Sequence, residues 1–237
     1  MKILGKTIQI RLYWIFVFCM FVLCVVFGVL FFKNIGGDIV ATLWGSLIAS
    51  FFVATIQLCL SYYEYEKTSM LDQLGLIGIF SYRNDKKKYA KYIETAKSEI
   101  DILGHTAYRF FLDFANVDPS ASLDDKLLLS KLQEGVVVRI LLPNSQYLPK
   151  DKISHFNEVK KMLADIKKKL PDADISIRYF DHIANHSVFR VDESCILGPI
   201  FSKRESKYTP GIQLKQSSRL AKSYLDYFEG EWKDAHE

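Results

Sequence analysis

LYWIFVFCMFVLCVVFGVLFF, Leu12–Phe32, is followed after only Lys33–Asp38 by IVATLWGSLIASFFVATIQLCLSYY, Ile39–Tyr63. Neither run contains a charged side chain. An α-helix rises about 1.5 Å per residue, so about 20 apolar residues cross the hydrocarbon core of a bilayer. The two runs, 21 and 25 residues long, predict a transmembrane helical hairpin over residues 1–63. A juxtamembrane helix and linker should follow over 64–84, and a soluble domain over 85–237. A cleaved signal peptide fits poorly. Its apolar region spans about 7–15 residues and ends at a small-residue cleavage site, and no such site follows Phe32.

Charge sets the expected orientation. Lys2, Lys6 and Arg11 precede the first run, and Lys67, Arg83 and Lys86–Lys88 follow the second, whereas the loop carries only Lys33 beside Asp38. Basic flanks stay cytoplasmic, which predicts both termini on the cytoplasmic side of the membrane. The second run also holds small residues at helical spacing, Ala41, Gly45 and Ala49 on one row and Ser46, Ser50 and Ala54 on another. Such rows let membrane helices approach closely, against the first run or against another copy in a homo-oligomer. Gln57 is the strongly polar side chain deep in the run, able to hydrogen-bond across helices.

The 237 residues carry 31 Lys+Arg against 27 Asp+Glu, a formal charge of +4. Residues 1–63 hold four cations against Asp38, so +3 belongs to the apolar runs and their flanks, and the remaining 174 residues carry +1. A nucleic-acid binder shows a basic excess or stripe, so direct nucleic-acid binding is not expected. Lys86–Lys88 suits either anionic lipid heads or the solvated start of a helix. Cys19, Cys24 and Cys59 lie inside the apolar runs and only Cys195 lies beyond them. That usage offers no disulfide framework and no metal-ligand spacing, as in a reducing compartment. No Gly-rich phosphate loop, zinc pattern or nucleophile elbow occurs, and neither metal nor cofactor is expected.

Beyond Tyr63 the second helix should continue through Glu64–Leu76 until Gly75 and Gly78 break it. A helix is predicted from Asn84 to Lys97, then a strand at Glu99–Leu103 ending in Gly104-His105. A helix at Leu123–Glu134 stops at Gly135, and a β-branched strand at Val136–Leu142 ends at Pro143. Phe156–Leu170 is amphipathic, with Phe156, Val159, Leu163 and Ile166 on its apolar stripe and lysines on its other faces. Strands follow at Ile175–Phe180, His186–Asp192 and Cys195–Phe201, with Asp192-Glu193-Ser194 as a turn, and a short one at Gly211–Leu214. Ser217 or Ser218 caps a last helix striped by Leu220, Tyr224, Leu225, Phe228 and Trp232. This alternation predicts an α/β domain around a mixed, centrally buried sheet.

Four segments in order, His186-Ser187-Val188-Phe189-Arg190-Val191-Asp192, Ile196-Leu197-Gly198, Gly211-Ile212-Gln213-Leu214 and Tyr227-Phe228-Glu229-Gly230-Glu231-Trp232, resemble a phospholipase D-like module. With the upstream strands the resemblance covers roughly residues 77–235. It implies a mixed-sheet domain whose active members carry a His-x-Lys pair on a strand, with an Asp a few residues on. In such members the His forms a covalent phosphohistidine and the Lys stabilises phosphoryl oxygens. Two such motifs, from one chain or a dimer, meet at one active site. Here, counting from His186, the lysine position is Val188 and the aspartate position is Glu193. Aligning on Val191-Asp192 instead puts Asn185 at the histidine and Ser187 at the lysine. The Ser and Asn that usually follow the Gly are replaced by Pro199 and Phe201. Losing the cation removes several kcal/mol of transition-state stabilisation, so a catalytically degenerate domain is expected.

A polar ligand pocket is still expected, lined by His105, His182, Asn185, His186 and Arg190, with Thr209 and Arg178 as further lining. The layout resembles two-transmembrane effectors of retron-type bacterial antiphage systems. That implies a protein of the bacterial inner membrane, held by an inhibitory partner protein or ribonucleoprotein, that damages this membrane when released. The alternatives are a membrane-bound phosphodiesterase with His186 as nucleophile and a ligand-binding membrane regulator.

Overall fold

The computed structural model describes residues 2–33, 37–201 and 204–237, with the side chains of residues 2–12 and 37–41 left undescribed. The chain divides into two compact units, residues 1–70 and 71–237.

The first unit is built on α1 (Lys2–Phe32) and α2 (Gly37–Gln73). Tyr13–Phe32 and Thr42–Gln73 are each long and apolar enough to cross a membrane. Phe27 stacks on Trp44 and Phe51, each at 5.4 Å, and Tyr13 stacks on Tyr62 at 4.3 Å. These rings hold α1 against α2. Gly45 belongs to the same seam: a Cβ there would lie 3.4 Å from the Phe31 ring. Ser46, Ala49, Ser50 and Gln57 are exposed. The Ser46 and Ser50 hydroxyls donate back to the carbonyls of Leu43 and Ser46, which satisfies them within their own helix. Lys2, Lys6, Arg11 and Ala41 have side chains outside the described set, as does the loop at Asn34–Gly36.

The second unit follows the order β1 (Leu76–Phe80), α3 (Lys86–Glu94), β2 (Glu99–Leu103), α4 (Tyr108–Phe114), α5 (Leu127–Gln133), β3 (Val137–Pro143), α6 (Ile153–Lys169), β4 (Ile175–Phe180), β5 (His186–Val191), β6 (Ser194–Pro199), β7 (Gly211–Lys215) and α7 (Arg219–Asp234). Its sheet is seven-stranded and mixed, ordered β1-β7-β6-β5-β2-β3-β4. The strands β2, β3 and β4 run parallel; β5 is antiparallel to β2, and β5-β6-β7-β1 continue antiparallel. Strand alternation sends Ile100, Ile102, Val138, Ile140 and Phe189 to a core shared with α4, α5 and α6. It sends Leu103, Leu141, Val188, Leu197 and Leu214 to a second core closed by Leu225 and Phe228 of α7. The domain is therefore a sheet between two helical layers.

Local chemistry explains most boundaries. The Asp85 carboxylate accepts from the Lys88 amide and starts α3, and the Ser218 hydroxyl accepts from the Ala221 amide and starts α7. Gly135 has φ +87° just past α5, the left-handed stop that only glycine adopts freely. Four elements differ from expectation. The α2 helix ends at Gln73, because Gly75 turns with φ +67°. The residues after it form β1, an edge strand paired with β7, where we expected helix and linker. A short helix, α4, occupies Tyr108–Phe114. The expected helix at 123–134 is a 3-10 turn over Asp124–Lys126 leading into α5.

Candidate functional site

The C-terminal ends of the parallel strands β2, β3 and β4 feed three connecting segments. His105 follows β2, Gln146–Pro149 follow β3, and Ile183–Asn185 follow β4; with Ile200 they frame a cleft of about 390 Å³. Open α/β sheets bind ligands outside these strand ends, because the connections there diverge. His105 is half-buried, and burial, reinforced by Lys152 and opposed by Asp151, pushes its pKa below 6.5. Its imidazole is therefore neutral at physiological pH. Asn185 is exposed at the cleft, and its carbonyl accepts from the Ile200 amide at 2.9 Å.

The alternation of β5 separates the remaining candidates. His186, Val188 and Arg190 face α7, while Ser187, Phe189 and Val191 face the opposite layer. The His186 ring lies against Tyr224 and Tyr227, with centroids 5.0 and 4.8 Å away. Its Nε2 is buried with no hydrogen-bond partner. Burial pushes the His186 pKa down, against an opposing pull from Glu231. Val188, at the lysine position counted from His186, is 1% exposed. His182 Nε2 lies 3.0 Å from Glu231 Oε2 and 3.4 Å from the Tyr227 hydroxyl. His182 and His186 thus belong to a polar cluster on α7.

Arg190 is in a third place. It donates to Asp101 Oδ2 at 2.9 Å, to Glu99 and to the Asp192 carbonyl. Arg139 grips the same Asp101 at 2.8 and 2.9 Å and reaches Glu229 at 2.6 Å. Asp101 is wholly buried, so this network ties β2, β3, β5 and α7 together. Losing one partner would leave buried charge uncompensated. Arg178 donates to the Trp232 carbonyl at 2.6 Å and covers the Trp232 ring, which anchors the end of α7.

Asp192, the aspartate of the second register, adopts φ +45°. It accepts from the Lys97, Ser98 and Glu99 amides and from the Ser98 hydroxyl. Burial would raise its pKa, but these hydrogen bonds and Arg190 hold it below the usual carboxylate range. It fastens the start of β2. The structure thus brings together His105 and Asn185 in one cleft and distributes His182, His186 and Arg190 elsewhere. It adds Arg83, whose guanidinium bonds Ser187 and Thr209. An arginine in a linker, far from both partners in sequence, gave no signal. Among the described residues no three His, Cys, Asp or Glu side chains converge to hold a metal ion.

No known family's sequence profile matches the chain, and no curated protein matches it. Solved structures do resemble it. TrmBL2, an archaeal chromatin protein with a novel mode of DNA binding, is 16% identical over 81% of this chain and 70% of its own, with a TM-score of 0.45. Nuc from Salmonella typhimurium, a phospholipase D family member, is 16% identical over 67% of this chain and 93% of its own, with a TM-score of 0.41. Phosphatidylserine synthase from Haemophilus influenzae Rd KW20 is 10% identical over 65% of this chain and 37% of its own, with a TM-score of 0.42.

Proposed function

We propose that this chain is a membrane-anchored ligand-binding protein, in which a phospholipase D-like sheet domain binds without turnover and a two-helix hairpin gives the output. One observation carries the reading: no histidine–lysine pair points from β5 into the cleft. In one register the positions are Asn185 and Ser187. In the other, His186 is closed off by Tyr224 and Tyr227, and Val188 is buried. Purified full-length protein in detergent should show no phosphodiesterase turnover with a chromogenic phosphodiester or with phospholipid. Robust turnover that disappears in His186→Ala would sink the proposal and restore the phosphodiesterase reading.

A narrower form of the same function is an effector of retron-type antiphage defence that disrupts the inner membrane when a partner protein or ribonucleoprotein releases it. Its support is the layout of hairpin and sheet domain, together with the exposed small residues Ser46, Ala49 and Ser50 on α2, a face open to a second copy.

A further inference from the structure

We propose that the open edge of β1 is an interface between two copies of this chain, whose sheets join there into one continuous sheet. This goes beyond the ligand-binding reading and needs from it only the membrane anchor. The sheet has two edges, β4 and β1. At β4 the Tyr179 N–H donates to the His236 carbonyl at 2.7 Å, and the His236 N–H donates to the Tyr179 carbonyl at 3.1 Å. Residues beyond α7 therefore cover that edge. At β1, β7 is the one strand partner among the described residues. The N–H and C=O groups that face away from β7 form a template for another strand. Edges meant to stay single are blunted by lysine, other charges or proline, and Leu76–Phe80 contains none of these. Ile79 is 69% exposed and Ile77 48%. The register with β7 slips between Leu76 and Gly78, which leaves Gly78–Phe80 as the regular stretch.

This stretch is complementary to itself. Ile79 stands opposite Ile212 of β7. Alternation from buried Leu214 puts both on the side of the sheet that α7 closes, yet Ile212 is still 37% exposed. An antiparallel copy centred on Ile79 sets this residue against its own counterpart. Ile212 and Ile79 of each chain then form one row of isoleucines across the joint, as cross-strand pairs do within a sheet. On the other face Gly78 meets Phe80 of the second copy. The chain's own Phe80 ring already lies over this glycine, 3.9 Å from where a Cβ would be. Charge agrees with the antiparallel direction. Asp72 precedes β1, and residues 81–88 after it carry four cations against Asp85, so opposite charges approach at each end of the joint.

Area decides between a second copy and a soluble partner. A five-residue edge buries far less than the roughly 1,600 Å² of a standard interface, so a protein free in solution is weakly held there. A copy anchored by its own hairpin in the same membrane needs less, because anchoring raises its effective concentration. β1 starts three residues after α2 ends, so no long linker dilutes that gain. The joint also lies away from the cleft. β2, whose end opens into the cleft, is four strands from β1, roughly 19 Å at the spacing of paired strands. This pairing is therefore distinct from a dimer in which two motifs meet at one site.

The test uses the full-length protein in the membranes of the cells that produce it, and reads disulfide dimers on non-reducing gels after brief, mild oxidation. In the proposed register the two Ile79 Cα atoms lie about 5 Å apart, within disulfide reach. Ile79→Cys should form reductant-sensitive dimers at roughly ten times the initial rate of wild type, whose Cys19 and Cys59 are exposed on α1 and α2. Leu123→Cys, at a position 86% exposed, reports random collision, and Ile183→Cys reports contact at the cleft rim; both should stay near the wild-type rate. Adding Ile212→Lys to Ile79→Cys puts a charge into the isoleucine row and should lower the rate about tenfold. If Ile79→Cys does not accumulate, Ile77→Cys combined with Ser81→Cys replaces it, since these positions face one another in the same register. A rate no higher than that of Leu123→Cys, or one indifferent to Ile212→Lys, would overturn the interface. Dimers through Ile183→Cys alone would overturn it too, and would place the contact between clefts.

Discussion

A histidine between two tyrosine rings, with its free nitrogen sealed from water, is a structural side chain with a measurable pH signature. His186 faces Glu231, His182, Tyr224 and Tyr227, and burial outweighs the attraction of Glu231, so its pKa lies below the ordinary 6.5. The unfolded chain takes up this proton first as pH falls. Between the unfolded and folded values the native state binds fewer protons, so stability declines with falling pH there and is unaffected above it. His186→Phe should therefore lose less stability than wild type between about pH 7.5 and about pH 5.5, measured as urea midpoints. Identical losses in the two proteins would refute the assignment. Part of the slope should persist, because His105 is shifted in the same direction. The separation of His186 from Asn185 was legible in the sequence as a strand boundary, since the strand starts at His186 and Asn185 belongs to the segment before it. Grouping the histidines by proximity in sequence obscured it. Arg83 was not legible, because Ser187 comes within its reach only once β1, β7, β6 and β5 lie side by side.

At the scale of elements, the strands that were easiest to read are the most continuously apolar ones, whether central like β3 or at the edge like β4. Val137–Pro143 and Ile175–Phe180 are rich in apolar and β-branched residues and end at Pro or turn signals. The edge strand β1 escaped because it contains Gly78, is solvated on alternate residues, and directly follows a long helix. The helix α4 escaped because its seven residues are mostly aromatic and start from Ala107 at φ +53° with no side-chain cap. Two glycines at element junctions give a paired prediction. Gly135 has φ +87° but open space around a built Cβ, so Gly135→Ala should cost only backbone strain, about 1 kcal/mol. Gly75 has φ +67°, and a Cβ there would lie 2.4 Å from the Cβ of Ser218, the cap of α7. Gly75→Ala adds overpacking to strain and should cost about 2–4 kcal/mol. Equal urea midpoints for the two variants would mean that the Gly75–Ser218 approach relaxes freely.

At the scale of the whole molecule, the charge that is not balanced within the sheet domain sits on the flanks of two apolar helices. Basic residues outside the loop outweigh Lys33 within it, so for two spanning helices the expected outcome is both ends of the chain in the cytoplasm. A reporter enzyme active only in the periplasm should work when fused near Gly36 and fail when fused at Glu237; the reverse pattern would overturn the arrangement. The packing of α1 on α2 gives a test of the proposed output. Gly45 meets the Phe31 ring at contact distance, so a leucine there must push α1 and α2 apart, while an added apolar side chain leaves insertion intact. If release of this protein depolarises cells, Gly45→Leu should accumulate in the membrane to normal levels and lose that effect, measured with a potential-sensitive dye. Unchanged depolarisation by the stably expressed variant would remove the close packing of α1 on α2 from the mechanism. Absence of depolarisation in wild type, with or without infection, would leave ligand binding at the cleft as the function and the hairpin as its tether.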